Sequence, residues 1–173
     1  MTWRKALRRL IFLALLAAAL YWAWPYLENA GRLVRLMREP APTSLPVPVE
    51  GVEAARLTDT WGSPRGGGRT HEGIDIFAPL GTPVLSTTRG VVMRKGWNRL
   101  GGRIVTVMGP GRQSHYYAHL DEFSSPAEGD WVEPGTVLGY VGTSGNAAGT
   151  PPHLHYGIYE MGQARNPYPM LVR

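Results

Sequence analysis

The sequence predicts an all-β domain of two packed sheets behind a single N-terminal hydrophobic helix. Three observations carry that expectation. From Glu50 onward, short β-branched runs alternate with Gly and Pro, and no long helical period appears. The chain holds 22 Gly and 15 Pro, which supply many turns. Residues 10–27, by contrast, form an uncharged run of 18 residues, close to the lower limit for a helix that spans a bilayer.

Four cations (Arg4, Lys5, Arg8 and Arg9) precede the apolar run, and Tyr21, Trp22, Trp24 and Tyr26 gather at its far end. Amphipathic rings favour the headgroup region, and leading cations favour a cytoplasmic N-terminus, although Arg32, Arg35 and Arg38 weaken that asymmetry. The expectation is a transmembrane signal anchor over 10–27, with 1–9 in the cytoplasm. The protein would then be a single-pass protein of the inner (cytoplasmic) membrane, its domain on the periplasmic or extracytoplasmic side. The small residues Ala17 to Ala19 offer a cleaved signal peptide as the alternative. The apolar run continues through Trp24, which favours the anchor, and both readings export the domain.

Residues 28–38 form a basic stem, read as an amphipathic helix on the membrane surface or as a solvated helix. Pro40, Pro42, Pro46 and Pro48 then crowd residues 39–49. Such a segment predicts a semi-rigid polyproline spacer of about 3.1 Å per residue, holding the domain roughly 30 Å from the stem. The globular domain is expected over 50–173.

A hydrophobic content of 43% with 18% charged residues indicates a folded chain. The net charge of +5 arises entirely within residues 1–40, which carry seven cations and two anions; the rest balances 11 against 11. A nucleic-acid binder usually shows a basic stripe on its globular part, and none is present, so nucleic acid is not expected as a partner. The absence of cysteine excludes disulfides and thiolate metal sites. Any metal site must draw on His, Asp and Glu.

Strands are expected at GIDIF (73–77), PVLST (83–87), GVVMRKGW (90–97), RIVTVMG (103–109), SHYYAHL (114–120), TVLGYVG (136–142) and HLHYGIYE (153–160). GPGR at 109–112 and EMGQ at 160–163 read as turns. GTPVLSTTRGVV and PGTVLGYVG both carry Gly-Thr followed, directly or after one Pro, by Val-Leu, a weak sign of internal duplication.

Two of the five histidines, His153 and His155, stand one residue apart in PPHLHYG. Strand alternation projects both from one face, roughly 7 Å apart, and sends Leu154, Tyr156 and Ile158 toward the core. That spacing suits a metal ligand beside a second working histidine, or equally a polar edge with two solvated rings. His71 and Asp75 in THEGIDIF would lie about 13 Å apart on a regular strand and converge only if the chain bends at Gly73. In SHYYAHL, alternation groups His115, Tyr117 and His119 on one face and Tyr116, Ala118 and Leu120 on the other. His119 falls near a strand end, and His115 reads most simply as a surface residue.

HEGID, YYAHL and HLHYG, in that order, resemble the lysostaphin-type (LytM-type) zinc metallopeptidases that cut peptidoglycan. The resemblance runs from about Asp59 to Pro167, through DTWGSPR, VEPGTVLGYVGTSG and the closing NPYPML. It implies a compact β fold with one zinc per chain, held by His71, Asp75 and His155 in a groove between SPRGGGR and TSGNAAGTPP. It also implies that His119 and His153 are the catalytic pair and that peptidoglycan peptides are the substrate, with D-alanyl cross-links favoured over glycine bridges. Two imidazoles and a carboxylate leave a fourth position open, as a catalytic zinc requires. His153 would take a proton from water, and His119 would steady that water or the developing oxyanion. Some relatives have lost their ligands and bind cell wall to activate another hydrolase; here all five residues are present, which favours the enzyme.

Overall fold

A computed structural model describes residues 3–173, which divide into two compact units, one ending at Arg35 and one running from Leu36 to Arg173. Helix α1, Trp3–Arg38, continues without a break through Pro25 and through the whole basic stem. A 36-residue helix measures about 54 Å, well beyond a hydrocarbon core of about 30 Å. By length and composition α1 is long and apolar enough to cross a membrane, and none of its most apolar window is buried.

The second unit is built from antiparallel strands. These are β1 (Pro64–Arg65), β2 (Arg69–Thr70), β3 (Ile74–Phe77), β4 (Pro83–Leu85), β5 (Gly90–Asn98), β6 (Gly102–Met108), β7 (Gln113–Phe123), β8 (Trp131–Val132), β9 (Val137–Val141), β10 (His153–Glu160) and β11 (Gln163–Arg165). A short helix α2, Tyr168–Leu171, follows. The main sheet runs β11-β10-β7-β6-β5-β8, with β3 and β11 sharing one edge of β10. β4 and β9 form the second layer, joined where β9 meets the far end of β7 at Leu120 and Phe123. The two segments that share Gly-Thr and Val-Leu thus pair with each other. All seven expected strands form. The short strands β1, β2, β8 and β11 and helix α2 lie outside the expectation, because two or three residues carry no measurable period.

Alternation sorts β10 cleanly. Leu154, Tyr156 and Ile158 are fully buried, packing with Ile74, Ile76, Tyr117, Leu120, Val84, Leu138 and Val141 in one core. Residues 39–49 correct the spacer expectation. Leu45 and Val49 belong to that same core, Leu45 N–H donates to Met170 O, and Leu85 N–H donates to Pro48 O. Val49 also bridges to Val84, and Glu39 pairs with Arg89. The prolines set an extended path along the domain, and the apolar residues between them find the core.

Candidate metal centre and active site

β10 and β3 run antiparallel with His155 directly opposite Asp75 and His153 opposite Phe77. Directly opposed side chains on one face lie within about 5 Å at Cβ, so this register alone brings imidazole and carboxylate together. His155 Nδ1 is 3.2 Å from Asp75 Oδ1. His71 reaches the same point from the segment before β3. The chain bends at Gly73, and His71 Nε2 arrives 3.1 Å from Asp75 Oδ1 and 2.8 Å from His155 Nδ1. Gly73 has a second role beyond the bend: a Cβ there would lie 2.6 Å from Tyr156 O and 2.7 Å from His155 Cε1.

Thr60 fixes this corner twice. Its carbonyl accepts the His71 Nδ1–H at 2.8 Å, and its hydroxyl accepts the Asp75 backbone N–H at 3.0 Å. With the proton on Nδ1, His71 Nε2 presents a lone pair. That lone pair, the Asp75 oxygen and His155 Nδ1 converge, an arrangement that holds together only with a proton on His155 Nδ1 or a cation among the three atoms. Ligands about 2.0–2.1 Å from a tetrahedral zinc lie about 3.3 Å from one another. The observed 2.8–3.2 Å separations are slightly shorter than that spacing and close enough for the three atoms to surround one cation. These three residues form a group able to hold a metal ion.

Burial alone would raise the Asp75 carboxyl. The ring nitrogens of His155 and His71, which donate to it when protonated, and the Arg65 guanidinium outweigh burial and hold the group well below the usual carboxylate range. Arg65 grips the second carboxylate oxygen from strand β1. Its part was not read from sequence, although SPRGGGR was expected as a groove wall; no spacing rule links residues 65 and 75.

His119 departs from alternation. Its φ of 64° is left-handed, and the β6–β7 register shifts so that Tyr117 faces Val105 while Leu120 faces Arg103. Three steps on β7 match two on β6, which is a β-bulge. The expected grouping of His119 with His115 and Tyr117 is thereby overturned. The bulge turns His119 into the groove beside Tyr116 and Ala118, while Tyr117 stays fully buried. A non-glycine residue in this conformation costs about 1–2 kcal/mol, which the surrounding bonds must offset. His119 N–H donates to Gly101 O at 2.7 Å, and its Nδ1–H donates to Ser144 O at 2.9 Å. Burial, reinforced by the neighbouring His155, lowers its pKa to about 4.

His153 is held similarly, its Nδ1–H donating to Pro151 O at 2.8 Å. Its ring lies 5.0 Å from that of His119, and its Nε2 lies 3.9 Å from Asp75 Oδ1. With Nδ1–H donated, the neutral form of each ring keeps its lone pair on Nε2, and both rings line a groove of about 710 Å³. One wall carries Arg65, Gly68 and Arg69; the other carries Asn146, Ala147 and Thr150, as the two loops predicted.

The surface reading of His115 is corrected. Its side chain is fully buried, with Nδ1 2.7 Å from the Tyr156 hydroxyl and 3.2 Å from Thr87 Oγ1. Thr87 Oγ1 also meets the hydroxyls of Tyr117 and Tyr156, each at 2.9 Å. Desolvation lowers the His115 pKa to about 4. A lone histidine in an alternating strand gives no sign that hydroxyls from two other strand segments will enclose it.

Residues 69–167, more than half of the chain, match the model of peptidase family M23. Among curated proteins, the chain is 45% identical over 140 residues to the L-Ala–D-Glu endopeptidase of Bacillus subtilis, covering 74% of this chain and 42% of that protein. It is 43% identical over 99 residues to the DD-carboxypeptidase/endopeptidase Mpg of Neisseria meningitidis, covering 57% of this chain and 22% of that protein. The chain therefore spans less than half the length of these relatives. The catalytic domain of lysostaphin from Staphylococcus simulans superposes with a TM-score of 0.60 at 28% identity, over 67% of this chain and 92% of that domain. From its motifs, its two-layer β fold and these matches, the chain belongs to peptidase family M23, the family of lysostaphin-type peptidases.

Proposed function

We propose that this chain is a zinc-dependent endopeptidase that hydrolyses peptide bonds of bacterial peptidoglycan, anchored by α1 with its β domain on the extracytoplasmic side. The observation that carries the reading is the convergence of three potential ligand atoms from His71, Asp75 and His155 beside two histidines whose Nδ1–H groups donate to backbone carbonyls. One zinc held by those three residues would polarise the scissile carbonyl and lower the pKa of a water. His153 Nε2, which carries the lone pair of the neutral ring when Nδ1–H donates to Pro151 O, would accept the proton of the attacking water and deliver it to the leaving amine. His119 is also an acceptor at Nε2 in its neutral form, which burial favours. It therefore steadies the same water, rather than donating to the oxyanion before the proton moves.

The named relatives cut different bonds, L-Ala–D-Glu in one case and DD bonds in another. The candidate bonds thus include one within the stem peptide as well as the D-alanyl cross-link. The test is digestion of purified sacculi by the full chain in detergent, with fragments identified by mass spectrometry. New peptide termini that vanish with a chelator and return with zinc are expected. Intact sacculi under all conditions would overturn the enzymatic reading and leave a cell-wall binding module.

A further inference from the structure

The hairpin β1–β2 places Arg65 directly opposite Arg69, joined through Gly66, Gly67 and Gly68. Gly67 and Gly68 both have left-handed φ, +76° and +73°, which makes so tight a turn accessible. Like charges directly opposed across two strands destabilise a pair, so this arrangement calls for a partner that neutralises it. Arg65 has one, Asp75. Arg69 forms no ion pair among the described residues. Its Nε donates to Gly66 O at 3.1 Å, which orients the guanidinium without occupying its two terminal nitrogens, and Arg69 lines the groove. Glu72 lines the groove as well, and its charge acts on Tyr159. The opposite wall, at Asn146, Ala147 and Thr150, is uncharged.

We propose that Arg69, set by Gly66 and backed by Arg65, binds a free carboxylate of the substrate peptide close to the scissile bond. The inference rests on the endopeptidase reading above and narrows its substrate class to anionic stem peptides. A planar guanidinium fits a carboxylate with two parallel hydrogen bonds, a match that an amide or a glycine chain cannot reproduce. A glutamate linked onward through its side chain keeps its α-carboxylate; a glycine bridge carries none.

The test compares two synthetic peptides, L-Ala–γ-D-Glu–L-Lys–D-Ala and the same peptide with the D-Glu α-carboxylate converted to an amide. Hydrolysis is measured with the zinc-loaded full chain in detergent, and binding with the chelated chain. Loss of a charge-assisted pair is expected to lower kcat/KM by about 10-fold or more for the amide, with weaker binding in parallel. Arg69→Gln should bring the carboxylate-to-amide ratio to about one, and Arg69→Lys should restore part of it. Equal treatment of both peptides by the wild type, or a preference that survives Arg69→Gln, would overturn the proposal. A carboxylate preference in binding with neither peptide nor sacculi cut would instead sink the endopeptidase reading and leave the arginine site standing.

Discussion

At the residue scale, the proposed mechanism separates groups that would hold an ion from groups that would act on the reaction. Asp75→Ala removes the acceptor shared by both ligand histidines and should sharply lower zinc content by metal analysis. His119→Ala and His153→Ala should keep their zinc, because neither ring completes the three-residue set. Each should lose about 100-fold or more in turnover on peptidoglycan, the usual cost of a positioned acid–base group. Near-normal turnover in either variant would remove that residue from the mechanism. Gly73→Ala tests packing behind the ligand. The added methyl would press on Tyr156 O and on the His155 ring, costing about 1–3 kcal/mol. It should also weaken zinc retention about 10-fold, as disturbed ligand support does, in a competition titration with a chelator.

At the element scale, two segments make distinct predictions. Residues 39–49 act as part of the β domain, so Leu45→Ala should destabilise it by about 2–4 kcal/mol through the cavity left in the core. A fragment starting at Glu50 should likewise unfold at lower urea than one starting at Leu36. Unchanged midpoints would return the segment to the role of a free spacer. Helix α1 should remain attached: intact mass of the membrane fraction should match the full chain, because the apolar run passes Ala19 without a break. A soluble product beginning near Leu20 would show a cleaved signal instead.

At the scale of the whole molecule, folding stability should respond to the buried imidazole of His115. Its pKa is about 4 when folded, against about 6.5 for an exposed histidine. Between those values the unfolded chain binds more protons, so stability rises with pH through this window. The contribution is fully present above about pH 6.5 and is lost as pH falls toward 4, on the order of 3 kcal/mol in total. Urea midpoints measured from pH 7 to 4 should fall less steeply in His115→Leu than in the wild type. Parallel slopes would mean that other groups carry the acid sensitivity.

The residues alone determined the element types, the seven main strands and the placement of His153 and His155 on one face, because a period of two over five or more residues leaves little choice. The ordered motifs then singled out His71 and Asp75 as partners of His155, and those three donors do meet within 3.2 Å. Tertiary structure decided what local pattern cannot hold. A bulge reversed the face of His119, because strand register depends on the neighbouring strand and not on the strand's own period. Arg65 met Asp75 because a glycine-rich hairpin folds over the sheet. His115 and the proline-rich segment went inward because burial depends on which distant groups arrive to cover them: hydroxyls of Thr87 and Tyr156 in one case, the common core in the other. Contacts between residues dozens of positions apart leave no trace in local spacing, and those contacts set the chemistry of the groove.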